Sequence, residues 1–308
     1  MSAWAKQVAV VGDGIVTEFL TLIGWNPAKK EQRISCILAQ KHGGEDNHTL
    51  DYLYSYHSQL ENQTINHLLV AVEYNTAAYP ANPNTKFKDY FYGLAKSIEC
   101  FKRASIRKTA AQELDAVENT RDIGVLMWLC DDTDCNQDIV KKVATVRVTD
   151  EFPYETIYIC DNHRASFIYD SMKTLEAKFP GANVEFFYPN TGRNFNPSSR
   201  KSSGKILPVE FINSSVQIFK ITDENGDKIF AISVIEPFNI DHLKRLLGLA
   251  QEITSDFASS TYIAFPDFDT SKHQSLVDDA KADFSNQSFS KSVTVISFRD
   301  DSGSAGDE

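Results

Sequence analysis

The sequence predicts a mixed α/β protein built in two successive regions. Three observations predict it. The runs HLLVAVEYN (67–75) and IGVLMWLCDD (123–132) are continuously apolar, the mark of strands buried on both faces. Between them, residues 87–114 repeat apolar side chains at helical spacing, the alternation that builds a layered α/β core. A second series of strand-like and helix-like runs then fills residues 155–299.

Taken in order, residues 3–24 read as a helix, with Val11, Ile15, Phe19 and Leu22 on one stripe and Gly24-Trp25-Asn26-Pro27 as the stop. Gly12 and Gly14 weaken its middle, so two shorter helices are an alternative. RISCILAQ (33–40) and TLDYLYSY (49–56) read as strands joined by the loop KHGGEDNH. After the strand at 67–75, the helix 87–114 carries Phe87, Phe91, Leu94, Ala95, Ile98 and Phe101 as its apolar stripe. The strand at 123–132 completes a region assigned to residues 1–132. The second region, 133–299, holds strands at 155–162 and 183–189 around a helix at 164–179. It continues with a hairpin turning at Glu224-Asn225-Gly226-Asp227 and a helix at 241–258 with Asp241 as its cap. TYIAFPDF and SVTVISF supply its last strands, and residues 300–308 have the composition of a disordered tail.

Hydrophobic residues make up 42% of the 308 and charged residues 24%, enough for a full core. No apolar run is long enough for a membrane span, and the N-terminus lacks the signature of a signal peptide, so the expectation is a cytoplasmic protein. Five cysteines, most of them inside apolar runs, read as buried free thiols. Cys130 and Cys135 flank DDTD without a nearby histidine or a second cysteine pair, a poor zinc pattern. Of the seven histidines, only His42 and His48 lie near Asp51, and they read as structural or solvated. The segment SSRKSSGKI (198–206) fails as a phosphate-binding loop, lacking the first glycine and the hydroxyl residue after lysine. Gly12-Asp13-Gly14 follows no strand, and G-x-S-x-G is absent, which removes dinucleotide and serine-hydrolase signatures.

Two acids carry the chemical argument. Asp51 opens one strand run and Glu73 lies near the end of the next. Phosphodiester hydrolysis at neutral pH is served by a metal that generates hydroxide and holds charge on phosphorus, and hard divalent ions take carboxylate oxygens. Acids on neighbouring strands reach one ion where the strands diverge. The plain structural alternative is that Asp51 caps a turn and Glu73 sits in water at a strand end.

This order of elements resembles the PD-(D/E)xK nuclease superfamily, the restriction-endonuclease-like fold, over roughly residues 10–130. The resemblance implies Glu18 as the helix acid, Asp51 as the motif aspartate and Glu73-Tyr74-Asn75 at the (D/E)xK position. It further implies Glu18, Asp51 and Glu73 as metal ligands, a magnesium ion as cofactor, and a catalytic set of Asp51, Glu73, Asn75 and Lys88. The motif is degenerate: Asn75 occupies the lysine position, and a register shift of two reads Ala71-Val72-Glu73 instead. Lysines that migrate to the following helix are known in the superfamily, which brings in Lys88 or Lys96. The segments SYHSQLEN and IECFKRAS resemble uncharacterised proteins of bacterial anti-phage defence loci, which implies DNA and a second protein subunit as partners.

A net charge of −11 argues against a protein coated in nucleic acid, but two stretches run against it. Residues 86–108 hold seven basic residues against two acids, among them Lys102, Arg103 and Arg107. Residues 190–205 hold Arg193, Arg200, Lys201 and Lys205 with no acid. These seven residues are the expected phosphate contacts, with Asn194 and Phe195 placed to hydrogen-bond or stack on a base. Three readings follow: a metal-dependent DNA nuclease subunit, a nuclease-like subunit without chemistry that binds DNA or a partner, and an interaction scaffold that touches no nucleic acid.

Overall fold

The computed structural model describes residues 14–115, 118–130, 137–195, 200–254 and 258–299. The start of the first expected helix, Cys135 and the tail at 300–308 lie outside the described residues.

Helix α1 (Ile15–Leu22) buries Ile15, Val16, Phe19 and Leu20 and ends at Gly24, whose φ is 75°. The first sheet has the order β1-β2-β3-β4-β5, from β1 (Lys29–Ser35), β2 (Asn47–His57), β3 (Thr64–Asn75), β4 (Asn119–Cys130) and β5 (Thr156–Asp161). β1, β2 and β3 pair antiparallel, whereas β3, β4 and β5 pair parallel. A parallel step needs a crossover, and α2 (Asn84–Phe101) with α3 (Ser105–Gln112) supplies it between β3 and β4. Helix α2 buries the whole expected stripe from Phe87 to Phe101. The single helix expected over 87–114 is in fact two, because Ala104 is extended at φ −74°, ψ 145°.

The strand expected at 33–40 is shorter and earlier. β1 ends at Ser35, and residues 36–46 are turns through Gly43 and Gly44, both at positive φ. α4 (Ile139–Val143) precedes β5, and α5 (Asn162–Lys178) follows it. β5 joins the first sheet from beyond residue 132, beside β4.

The second sheet has the order β11-β10-β9-β8-β6-β7. Its strands are β6 (Asn183–Phe187), β7 (Ser203–Gly204), β8 (Val216–Thr222), β9 (Lys228–Val234), β10 (Ser260–Phe265) and β11 (Val293–Ser297). The hairpin expected at 224–227 joins β8 to β9, with Gly226 at φ 86°. Helices α6 (Ile240–Thr254), α7 (Thr270–Ala282) and α8 (Gln287–Ser292) complete the region. Asn239, not Asp241, caps α6: its Oδ1 accepts from the amides of Asp241 and His242.

Three cores result. A central one takes α1, one face of the first sheet, α5 and residues of the second sheet such as Phe186 and Phe219. A second lies between the other face of the first sheet and α2. A third lies under α6 and α7.

Candidate active site

β2 changes phase at Asp51. Leu50 packs in the α2-side core, yet Tyr52, two residues on, packs against the central core. On a regular strand residues two apart share a face, so the strand turns over here. The β1–β2 ladder pairs Lys30 with Tyr52 and Gln32 with Leu50 and passes over Glu31 and Asp51. Glu31 itself has φ 49°, a conformation that side-chain-bearing residues adopt rarely and that collects at functional sites.

The β2–β3 ladder runs from His57–Ile65 to Tyr52–Val70, and beyond it the strands part. The next β3 amide facing β2, that of Val72, donates to Asp51 Oδ2 at 2.7 Å. Strand amides lie in the plane of the sheet, so this bond sets the Asp51 carboxylate in the seam between β2 and β3. Asp51 lines an open pocket of about 360 Å³ on the α1 side, with Thr17, Lys30, Glu31, Tyr52 and Tyr74.

Val72 packs toward the central core and Ala71 toward the α2 side. Alternation therefore puts Glu73 on the α2 side of β3. Burial pushes the Glu73 carboxyl above its ordinary range, the Asp51 charge pushes it further, and Lys86 pulls it back. Burial likewise raises Asp51, and the Glu31 charge adds to that, against the lowering effect of the Val72 amide. Asp51 thus faces the α1-side pocket beside Glu31 while Glu73 lies on the α2 side of β3, so the two half-buried acids approach the seam from opposite faces instead of converging on one edge as expected, and Glu73 feels the Asp51 charge across it. The carboxylates that share the pocket, Asp51 held by one amide donor and Glu31 beside it, offer the hard oxygens that a divalent cation such as magnesium takes.

The remaining sequence candidates distribute as follows. Asn75 ends β3, hydrogen-bonds Tyr90 of α2 and lines a small cleft with Lys86 and Trp128. Lys88 acts on Tyr92 instead of the acids, and Lys96 is engaged by Glu45 at 2.9 Å. The lysine whose charge reaches Glu73 is Lys86, and a second one, Lys30, stands beside Asp51, held by Thr17 Oγ1 at 3.0 Å. Glu18 is exposed on α1 outside the pocket, and its charge acts on Tyr169 of α5. Glu31, Lys30 and Lys86 escape sequence reasoning. Their only signal is the run Lys29-Lys30-Glu31 at the start of β1 and the first lysine of the helix after β3.

The basic residues fall away from this seam. Arg107 pairs with Asp122 at 2.8 Å and Thr120 at 2.6 Å. Arg193 pairs with Glu61 at 2.6 Å in the β2–β3 turn. From that turn to Glu73 is the length of β3, about 30 Å at 3.3 Å per residue. Lys205 donates to the Val184 carbonyl at 2.7 Å, and Arg200 Nε is buried without a hydrogen-bond partner among the described residues. Lys102, Arg103 and Lys201 are exposed. Asn194 is buried and ties its own loop to Gln59 and Pro189, which removes it from base recognition, whereas Phe195 is exposed.

No curated protein matches the chain. The family model of the GAPS4 protein PD-(D/E)XK nuclease domain matches residues 1–164. That span takes in α1, all five strands of the first sheet and the seam between Asp51 and Glu73. The chain belongs to the GAPS4 PD-(D/E)XK nuclease-domain family.

Proposed function

We propose that the chain is a DNA-hydrolysing subunit of a bacterial anti-phage defence complex, using a divalent metal, with magnesium the natural choice. The observation that carries this reading is the Asp51 carboxylate, fixed in the β2–β3 seam by the Val72 amide and felt by Glu73. Asp51 and Glu73 are the proposed ligands, with Glu31 beside Asp51 on its pocket and Glu73 reaching the seam from the α2 side. The bound ion would supply a hydroxide near neutral pH and stabilise charge on the phosphoryl oxygens. Asp51 orients that ion because its own geometry is set by β3. Lys30 and Lys86, one on each side of the seam, offset the phosphate charge from the positions that Asn75 and Lys88 were expected to fill. Lys102, Arg103 and Lys201 are the proposed remote contacts to the DNA backbone, since the other cations are held within the chain.

The test is cleavage of supercoiled and linear DNA with Mg²⁺ by the chain, alone and with its partner subunit. Loss of cleavage in Asp51→Ala and in Glu73→Ala, with chelator giving the same loss, is the expected result. Unchanged cleavage in both variants would overturn the assignment.

A second reading has its own observation. Asn75 fills the lysine position and is tied to Tyr90, so the motif lacks its usual general cation. On that reading the chain binds DNA or a partner nuclease without chemistry. It predicts that Asp51→Ala with Glu73→Ala leaves the complex active. It also predicts DNA affinity that falls steeply with salt and drops on neutralising Lys102, Arg103 and Lys201.

A further inference from the structure

The turns between β1 and β2 hold a cluster remote in character from the acid seam. Cys36 directly follows β1, His42 lies in the turns, His48 is on β2 and Cys100 is near the end of α2. One ligand atom from each of the four lies within 4.8 Å of all the others. His42, His48 and Cys100 are buried, at 0%, 5% and 1% exposure. Neither Cys36 nor Cys100 is in a disulfide.

Hydrogen bonding alone does not account for the arrangement. His42 Nδ1 faces three groups at once: Cys36 Sγ at 3.2 Å, His48 Nε2 at 3.1 Å and Cys100 Sγ at 3.6 Å. A ring nitrogen carries one proton or one lone pair, so it makes one good hydrogen bond, not three. Four donor atoms converging on one point are instead the corners of a coordination shell. The edges agree: tetrahedral zinc with sulfur at 2.3 Å and nitrogen at about 2.0 Å has sulfur–sulfur edges of about 3.8 Å and sulfur–nitrogen edges of about 3.5 Å. The Cys36–Cys100 sulfur separation is 3.9 Å.

The surroundings are those of a metal-binding pair of imidazoles. His42 directs its other nitrogen, Nε2, to Glu99 Oε2 at 3.0 Å, and His48 directs Nδ1 to Glu45 Oε2 at 3.1 Å. A carboxylate on the far nitrogen fixes the tautomer and points the near lone pair inward, the usual support of zinc-bound histidine. Lys41 and Lys96 in turn hold those two glutamates, at 2.7 Å and 2.9 Å. The backbone of Ile37 and Leu38 also hydrogen-bonds Cys100, which fixes the direction of its sulfur.

We infer that Cys36, His42, His48 and Cys100 bind one zinc ion in a closed, four-coordinate structural site. All four positions belong to the protein, so no position is open for substrate or water. The site clips the β1–β2 turns to α2 across 64 residues of sequence (Cys36 to Cys100) and lies three residues before Asp51 on β2. It stands independently of the nuclease reading.

The test is metal analysis of the untagged full chain purified without chelator. One zinc per chain is expected, retained in Asp51→Ala and lost in Cys100→Ser and in His48→Ala. Because those variants can fail to fold, a second measurement uses the wild type. Exchange of the metal for cobalt should give the intense visible bands of tetrahedral cobalt and a thiolate-to-cobalt charge-transfer band at one equivalent. Zinc release should track modification of two thiols. A zinc-free wild-type chain without those bands, a Cys36–Cys100 disulfide in the purified protein, or iron in place of zinc would each overturn the inference.

Discussion

At the scale of the residue, Asp51 and Glu73 are acids whose environment works against their charge. Both hold their protons to higher pH in the folded chain than in the unfolded one, through burial first and then through neighbouring acids. The stability they contribute is therefore complete only below the ordinary carboxylate range and is lost as pH rises through their raised folded values. At neutral pH without metal they cost stability. Asp51→Asn and Glu73→Gln should each raise the melting temperature in metal-free buffer at pH 7.5 by about 1–2 °C, since a partly exposed charge is worth under about 1 kcal/mol. Added Mg²⁺ should then raise the wild-type melting temperature and leave the two variants unmoved, and its affinity should weaken as pH falls into the raised carboxyl range. A lower melting temperature for both variants in metal-free buffer, read by calorimetry, would show that the acids are structural. Asp51 and Glu73 were legible because an acid interrupts an apolar strand in each case. Lys86 and Lys30 were not, because an exposed lysine looks the same in sequence whether or not a strand end lies beside it. The Cys36–His42–His48 spacing, C-x5-H-x5-H, was visible, but its fourth member comes from α2, and only the α2–β1 packing brings Cys100 to it.

Among the elements, β3, β4 and α2 form the unit that positions the seam. Their legibility has a plain cause: parallel central strands are apolar on both faces, and the helix covering them shows one continuous stripe. Boundaries were less legible. The break at Ala104 leaves no proline or glycine behind it, and β1 starts in a charged segment, Lys29–Gln32, that carries no strand pattern. Gly124 shows how tightly the unit packs. A Cβ there would lie 2.8 Å from Ile157 Cγ1, 3.0 Å from Ile98 Cδ1 and 3.1 Å from Leu94 Cδ2. All three neighbours sit between the sheet and α2, so none can give way without displacing another. Overpacking of this kind costs about 1–3 kcal/mol, and the higher intrinsic strand preference of alanine returns less than about 1 kcal/mol. Gly124→Ala should therefore lower the urea midpoint by a net loss of about 1–2 kcal/mol with an unchanged m-value. An unchanged midpoint would mean that α2 slides freely on the sheet, and with it Lys86, the lysine it presents to Glu73.

For the whole molecule, the family match ends at residue 164, but the packing does not. The central core that covers the α1 side of the first sheet is shared: Ile15, Phe19, Leu68 and Val70 pack in one cluster with Phe167, Phe186, Leu207 and Phe219. Polar links cross at the same place. Trp25 Nε1 donates to the Leu207 carbonyl at 2.8 Å, and Tyr56 Oη accepts from the Val209 amide at 3.1 Å. Gly24 lies so close to the Lys205 carbonyl that a Cβ on it would meet that oxygen at 2.3 Å. Arg121 of β4 reaches Glu210 at 3.1 Å as well as Glu155 at 2.9 Å. A fragment ending at residue 164 would bare one face of β2, β3 and β4 and strip the Trp25 indole of its buried carbonyl partner, while Tyr56 would keep only its bond from Asn66 Nδ2. The full chain should therefore melt in a single calorimetric transition, with van't Hoff and calorimetric enthalpies equal. The fragment should aggregate or bind an apolar dye. Two resolved transitions, or a fragment that folds as a monomer with a cooperative melt, would show that the second sheet is an appendage and that the nuclease-like sheet supports its seam alone.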